Sequence, residues 1–303
     1  MRKLRAAGVL AGICITAACS SPPTATPAVG GGNRSSTPAT SPGRADPGAA
    51  AASATAAPVP PQVTISRVRT ADGSVVSIAA FHGPVQYVLH NGSQDPGRAY
   101  ARLVHAGPAV TGAERQRLLA AFNGGFKMRS RAGGYEQEGH VLRALRHGLA
   151  SLVIDRSGRA RIGVWGAGVP APGEAVYSVR QNLWPLVING KPTAESARWW
   201  RWGGTVGHAE YVARSAIGQD ASGDLIYAAS MSTIPADLAD ALARSGARIA
   251  MELDINSEWV QLDTAHTPGG PLTAAVPGQI RPADQYLTGW TRDYFTVLAP
   301  PTG

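Results

Sequence analysis

The chain has 303 residues, a formal net charge of +8 and only two cysteines, Cys14 and Cys19, both within the first nineteen residues. Everything after Cys19 therefore lacks a disulfide, a thiolate nucleophile and a cysteine-built zinc site. The charge is smaller than it looks: Arg2, Lys3 and Arg5 carry three positive charges and residues 20–61 a net one, leaving +4 for the remainder. With no run of Lys and Arg interleaved with aromatics, this balance does not point to nucleic acid. It suits a phosphate-bearing cell-envelope substrate, and equally an ordinary soluble domain rich in arginine.

Residues 1–19 read as an export leader. Arg2, Lys3 and Arg5 are its basic start, and the apolar stretch from Ala6 to Ile15 is too short for a bilayer span, which needs about twenty residues. The small residues of Thr16-Ala17-Ala18 before Cys19 fit a bacterial lipobox, with Cys19 lipidated and the protein held at the outer face of the cell membrane. Thr16 stands where leucine is usual, so a plain cleaved signal and a secreted product remain the alternative. Residues 20–61 are Ala, Pro, Ser, Thr and Gly with almost no large apolar side chains, the composition of a disordered spacer. Residues 62–303 then suffice for one large core and one domain.

In that domain, Val63 to Arg69 alternates at period two, Ala71-Asp72-Gly73 turns, and Val75 to Phe81 follows, which predicts a β-hairpin. A strand from Val85 to His90 ends at Asn91-Gly92. Thr111-Gly-Ala-Glu114 has capping-box spacing and predicts a helix to about Ala121. Ser151 to Asp155 and Ala160 to Trp165 flank a Gly turn, as do Arg214 to Gln219 and Asp224 to Ala229, giving two more hairpins. Thr233 and Pro235 open a second helix with Leu238 and Leu242 on one face and Gly246 at its end. A last strand is expected from Arg248 to Asn256. Many short strands and few helices indicate an α+β fold, with a mixed, mainly antiparallel sheet core in a single domain.

The most informative segment is Ile249 to Asn256. As a strand it places Met251, Leu253 and Ile255 on one face and Glu252, Asp254 and Asn256 on the other. Side chains two apart on a strand start roughly 6.5–7 Å from each other, within reach of a glycosidase carboxylate pair. Glu258 follows closely as a third acid. A strand whose polar face is wet, or whose acids pair with arginines, fits the pattern equally well. Asn123-Gly124-Gly125 allows positive φ and close backbone approach to a ligand, or caps the preceding helix. Arg214 offers a bidentate guanidinium for phosphate, or an ordinary surface charge. His208, in the Gly-rich loop Gly203 to His208, is a candidate acid/base. No close histidine pair suggests a metal, although Glu252, Asp254 and Asn256 have the oxygens for Ca²⁺ or Mg²⁺. Trp199-Trp200-Arg201-Trp202 is either a sugar-stacking platform or part of the core, and the core is favoured.

Several of these segments occur in a telling order. Asn123-Gly124-Gly125-Phe126 precedes Leu186-Val-Ile-Asn-Gly190, then the Arg214-x-Ala216-x-Gly218 strand with its Gly turn, a helix, and the strand Ala250-x-x-Leu253-Asp254. In this order, over about Gln62 to Leu298, the chain resembles the phosphodiester glycosidase (uncovering-enzyme) family, which removes a sugar from a phosphodiester. The resemblance implies a pocket built from Asn123, Gly124, Gly125, Arg214 and Asp254. The family usually continues past the aspartate with glycines and a serine, whereas this chain reads Ile255-Asn256-Ser257-Glu258-Trp259. Two readings follow. In the first, the protein is a hydrolase of a sugar–phosphate diester or polymer in the envelope, with Arg214 on the phosphate, an acid among Asp254, Glu252 and Glu258, and Asn123 and His208 toward the sugar. In the second, it is a non-catalytic binder of glycan or cell-wall polymer on the same scaffold. Convergence of the acids with Arg214 in one cleft separates them.

Overall fold

The computed structural model describes residues 61–301, so the leader, Cys19 and all of the spacer but Pro61 lie outside the described residues. The first half contains β1 (Val63–Arg69), β2 (Val75–Phe81), β3 (Gln86–His90), α1 (Arg98–Ala101), α2 (Gly112–Arg117), β4 (Leu118–Asn123), β5 (Tyr135–Gln137), β6 (His140–Arg143), β7 (Ala150–Ile154) and β8 (Ala160–Val164). The second contains β9 (Ser178–Gln181), β10 (Pro185–Ile188), β11 (Lys191–Pro192), β12 (Val212–Gln219), β13 (Leu225–Thr233), α3 (Pro235–Arg244), β14 (Ile249–Glu252), β15 (Leu262–Ala265), β16 (Leu272–Ala274), α4 (Gln285–Thr288) and β17 (Tyr294–Leu298).

The strands form one seven-stranded sheet, β1-β2-β13-β12-β14-β10-β11, and two five-stranded sheets, β16-β15-β4-β17-β3 and β6-β5-β9-β7-β8. Pairings among these strands are antiparallel throughout. The α+β expectation of a mainly antiparallel core therefore holds, spread over three sheets rather than one. Period-two alternation explains the layers. Phe81, Ile217, Tyr227 and Met251 face inward from the large sheet and meet Phe122 and Phe295 of the second sheet and Leu152 and Ile162 of the third. Phe122 is the hub, its ring 5.7 Å from Phe81 and 5.3 Å from both Phe295 and Tyr227. The opposite face of the large sheet is covered by α3, whose Leu238 and Leu242, one helical turn apart, pack on Val76, Ile78, Ala216 and Ala228. Each such leucine contributes about 1.5–3 kcal/mol by burial.

The three expected hairpins form, and Asn189-Gly190 makes a two-residue turn with φ of 52° and 75°, joining β10 to β11. Two expectations fail. The helix after Thr111 stops at Arg117, and residues 118–123 are a buried strand between β15 and β17. Leu-Leu-Ala-Ala-Phe has no polar stripe, so a site buried on both faces suits it better than a surface helix. Glu114 also leaves its capping role, because its carboxylate accepts from His90 Nε2 and the Thr296 hydroxyl, both at 2.7 Å. Strand β14 ends at Glu252, four residues early, although Leu253 N still donates to Ser215 O and Ser215 N to Asp254 O.

Candidate active site

The ends of β4, β9 and β14 meet the starts of β12 and β17, and three buried Arg–carboxylate pairs gather there. Arg214 Nη1 lies 2.7 Å from Glu252 Oε1, Arg180 Nε lies 2.7 Å from Asp293 Oδ2, and Arg292 Nη1 pairs with Asp254 Oδ2. No side chain in the three pairs is more than 6% exposed. Backbone carbonyls complete the frame. Arg214 also donates to Trp202 O and Thr233 O, Arg180 to Phe126 O and Gln181 O, and Arg292 to Gly125 O. Asn182 Nδ2 donates to the carbonyls of Glu252 and Leu253, tying the end of β14 to this frame.

The Asn123-Gly124-Gly125 segment serves that frame. It ends a strand, not a helix, so the helix-cap reading is corrected. Asn123 is buried and saturated: it donates to Ser215 Oγ at 2.9 Å and accepts from the Tyr227 hydroxyl at 2.8 Å and from Gln261 N. Neither glycine has the positive φ that the sequence allowed. Their lack of a Cβ matters instead, since one on Gly124 would lie 2.1 Å from Asp293 Oδ2 and one on Gly125 2.8 Å from Arg180 Cζ. The glycines admit an ion pair.

Asp254 is the carboxylate that opens outward. It lines a cleft of about 440 Å³ with Asn256, Arg292, Lys127, Arg129 and Phe126. Its Oδ1 accepts from the backbone N–H of Ile255 at 2.8 Å and Asn256 at 3.2 Å, so the carboxylate is held fast. Burial raises its pKa, with the Arg292 guanidinium pulling the other way. A larger cleft of about 510 Å³ lies among the turns after β2, β7 and β12 and contains none of the three pairs, so chemistry rather than size selects the Asp254 cleft.

The other sequence candidates separate. Glu252 is fully buried against Arg214 and does not line the cleft, and burial pushes its carboxyl up to about 7 while Arg214 opposes the shift. Arg214 faces Glu252, not Asp254, and is equally inaccessible. Glu258 is spent on Arg281 at 2.6 Å, and His208 sits exposed on a short 3-10 turn. Because Glu252 and Asp254 each face a guanidinium, they do not form the oxygen cage suggested for Ca²⁺ or Mg²⁺. Among the described residues, no group of three or more His, Cys, Asp or Glu is placed to hold a metal ion. The tryptophan cluster divides: Trp202 is core, donating to Glu195 O, and Trp200 is 62% exposed. Sequence reasoning missed Arg180, Arg292, Asp293, Lys127 and Arg129. The charged doublet Arg292-Asp293 just before the buried run Tyr294 to Leu298 was the available signal.

Residues 116–254 match the phosphodiester glycosidase family, a span holding Asn123-Gly124-Gly125, Arg214 and Glu252 and ending on Asp254. The structure is similar to the zebrafish N-acetylglucosamine-1-phosphodiester alpha-N-acetylglucosaminidase catalytic domain, auto-inhibited by its pro-peptide. The TM-score is 0.52 at 15% identity, covering 82% of this chain and 85% of that one. A hypothetical protein from Synechocystis gives a TM-score of 0.45 at 14% identity, covering 79% of this chain and 62% of that one. No curated protein sequence matches the chain. At such identity the zebrafish likeness is one of fold, and the family resemblance rests on the match of residues 116–254 to the phosphodiester glycosidase family.

Proposed function

We propose that the Asp254 cleft hydrolyses a sugar–phosphate phosphodiester. The bond between the anomeric carbon and a phosphate oxygen breaks, and the oxygen of water takes its place on the sugar. Asp254 accepts the water's proton, which passes to solvent, and the bond's electron pair leaves on the phosphate. The carrying observation is that one carboxylate shares its cleft with Lys127 and Arg129, whose side chains make no hydrogen bond or ion pair among the described residues. Ordinary glycosidases need a second carboxyl to protonate a poor alkoxide leaving group. A phosphate monoester, with a second pKa of about 6, departs without that help. A single base with cations for the developing charge therefore suits this substrate.

The full chain is assayed on sugar-1-phosphodiesters and on plain glycosides, with and without chelator. Asp254→Asn should lower kcat by about 10²-fold or more, and replacing Lys127 or Arg129 by Ala should raise KM for the diesters alone. A wild-type chain that binds these diesters without turning any over refutes hydrolysis. That outcome supports the second reading, a glycan binder, for which Arg214, Glu252 and Glu258 lying away from the cleft already speaks. The leader's pattern supports export as part of the same proposal, with Cys19 as lipid anchor and residues 20–61 as the spacer that lifts the domain off the membrane.

A further inference from the structure

A second cleft, of about 370 Å³, adjoins the first and shares Phe126, Ser130 and Gly204 with it. Arg131, Arg146 and Trp200 line this second cleft. The side chains of Arg131 and Arg146, like those of Lys127 and Arg129, make no ion pair or hydrogen bond among the described residues. Its lining includes no carboxylate among the described residues. Two adjoining clefts thus present four uncommitted cations and one carboxylate, Asp254, already held by Arg292.

Trp200 adds the second chemistry. It is the most exposed large hydrophobic side chain among the described residues, and burying such a ring against a partner is worth more than leaving it wet. Trp199 meets it edge-on, with ring centroids 6.1 Å apart and planes at 86°. The neighbouring Trp184 already carries the Arg201 guanidinium 4.7 Å above its ring, and Arg201 is paired with Glu195. The loop bearing these residues is pinned where the clefts join: Gly203 has φ of 97°, and a Cβ there would lie 2.5 Å from Ile255 Cδ1 and 2.9 Å from Phe126. The junction is therefore preorganised.

We infer that the two clefts form one continuous groove for a polyanionic glycan, in which successive phosphates meet Lys127, Arg129, Arg131 and Arg146 and a sugar ring beyond the Asp254 subsite stacks on Trp200. The inference rests on the phosphodiester reading of the Asp254 cleft and narrows its substrate to a sugar–phosphate polymer. Each cleft is at the small end of the usual range for ligand pockets, so a single repeat fills one and leaves the other for its neighbour.

Equilibrium binding to the full chain tests this, using a single sugar phosphate and an oligomer of the same repeat. The oligomer should bind about tenfold more tightly per molecule than the single repeat, since it engages both clefts. Trp200→Ala should remove most of that gain and Trp200→Phe, which keeps an aromatic face, should retain it. Replacing Arg131 and Arg146 by Ala should weaken oligomer binding and flatten its salt dependence. Arg159→Ala, which removes one positive charge from the remote cleft, should do neither. Equal affinity for oligomer and single repeat, or a gain that survives Trp200→Ala in a protein with unchanged melting, overturns the groove. Cleavage fails separately: length-dependent binding without turnover sinks only the hydrolase reading, and turnover without length dependence sinks only the groove.

Discussion

Replacing Arg214 by Met, which keeps most of the side-chain volume, strips Glu252 of its counter-charge in a fully buried site. The wild-type guanidinium sits 2.7 Å from Glu252 Oε1 and also donates to Trp202 O at 3.0 Å and Thr233 O at 3.3 Å. The variant therefore strands a carboxyl and two carbonyls. Removing one partner of a buried pair costs about 3–5 kcal/mol, which for a domain of this size lowers Tm by roughly 6–20 °C. The deficit should widen above pH 7. Glu252 titrates at about 7 beside Arg214, and without it the folded carboxyl keeps its proton to still higher pH, so the variant goes on losing stability through this group where the wild type's contribution from it has levelled off. The double variant Arg214→Met with Glu252→Leu should recover the part of the loss that comes from the stranded carboxyl, because an apolar replacement of both charged partners is nearly neutral, and should keep the part that comes from the two carbonyls. Denaturant melts of the four proteins of this cycle at pH 6 and pH 9 give the coupling directly. Single variants within about 1 kcal/mol of wild type would refute a structural pair and return Arg214 to the ligand role its sequence motif implies.

Gly124→Ala should cost about 1–3 kcal/mol or more in denaturant melts, since its Cβ would meet the Asp293 backbone carbonyl at 2.6 Å as well as the carboxylate, and backbone cannot step aside. Wild-type stability should fall between about pH 4 and pH 8, because burial pushes Asp263 up to about 8 despite hydrogen bonds from Gln279 and Gln261, so the folded state holds a proton that the unfolded state has lost. Asp263→Asn should flatten that slope at a cost of about 1 kcal/mol, its amide donor facing a glutamine donor; a wild-type profile already flat over this range contradicts both statements. Cys19→Ala should move the protein from the membrane to the soluble fraction on cell fractionation, and mass spectrometry finding Cys19 unlipidated in the wild type would remove the reason to expect it.

The hairpins were legible because alternation and a Gly turn are local, and both survive packing. Residues 118–123 were not. An apparent capping box and good helix formers point one way, and only the distant partners β15 and β17, supplying ladders on both sides, decide for strand. The candidate site was legible by half for a similar reason. Alternation correctly put Glu252 and Asp254 off the apolar face of Met251 and Leu253, but it could not say which arginine meets which acid. Each of the two pairs spans 38 residues. Adjacent Arg292 and Asp293 even serve different partners, one reaching Asp254 and the other Arg180, as neighbours entering a strand must.

This wiring separates what the family motif builds from what the cleft recognises. In this chain Asn123 is saturated by Ser215, Tyr227 and Gln261, the glycines after it make room for Asp293 and Arg180, and Arg214 is consumed by Glu252. Their common product is a rigid charged wall that holds Asp254 at the floor of the cleft with Arg292 beside it. None of Asn123, Arg180, Arg214, Glu252 and Asp293 lines the cleft. On the proposed function, the choice of sugar falls to side chains that the motif does not include, Lys127, Arg129 and Asn256 in the first cleft and Trp200 in the second. The departure after Asp254, the run Ile255-Asn256-Ser257-Glu258-Trp259, puts Ile255 and Asn256 in the lining of the cleft and includes none of the residues that build the wall. If the proposed hydrolysis holds, this division of labour favours a change of substrate with the chemistry kept.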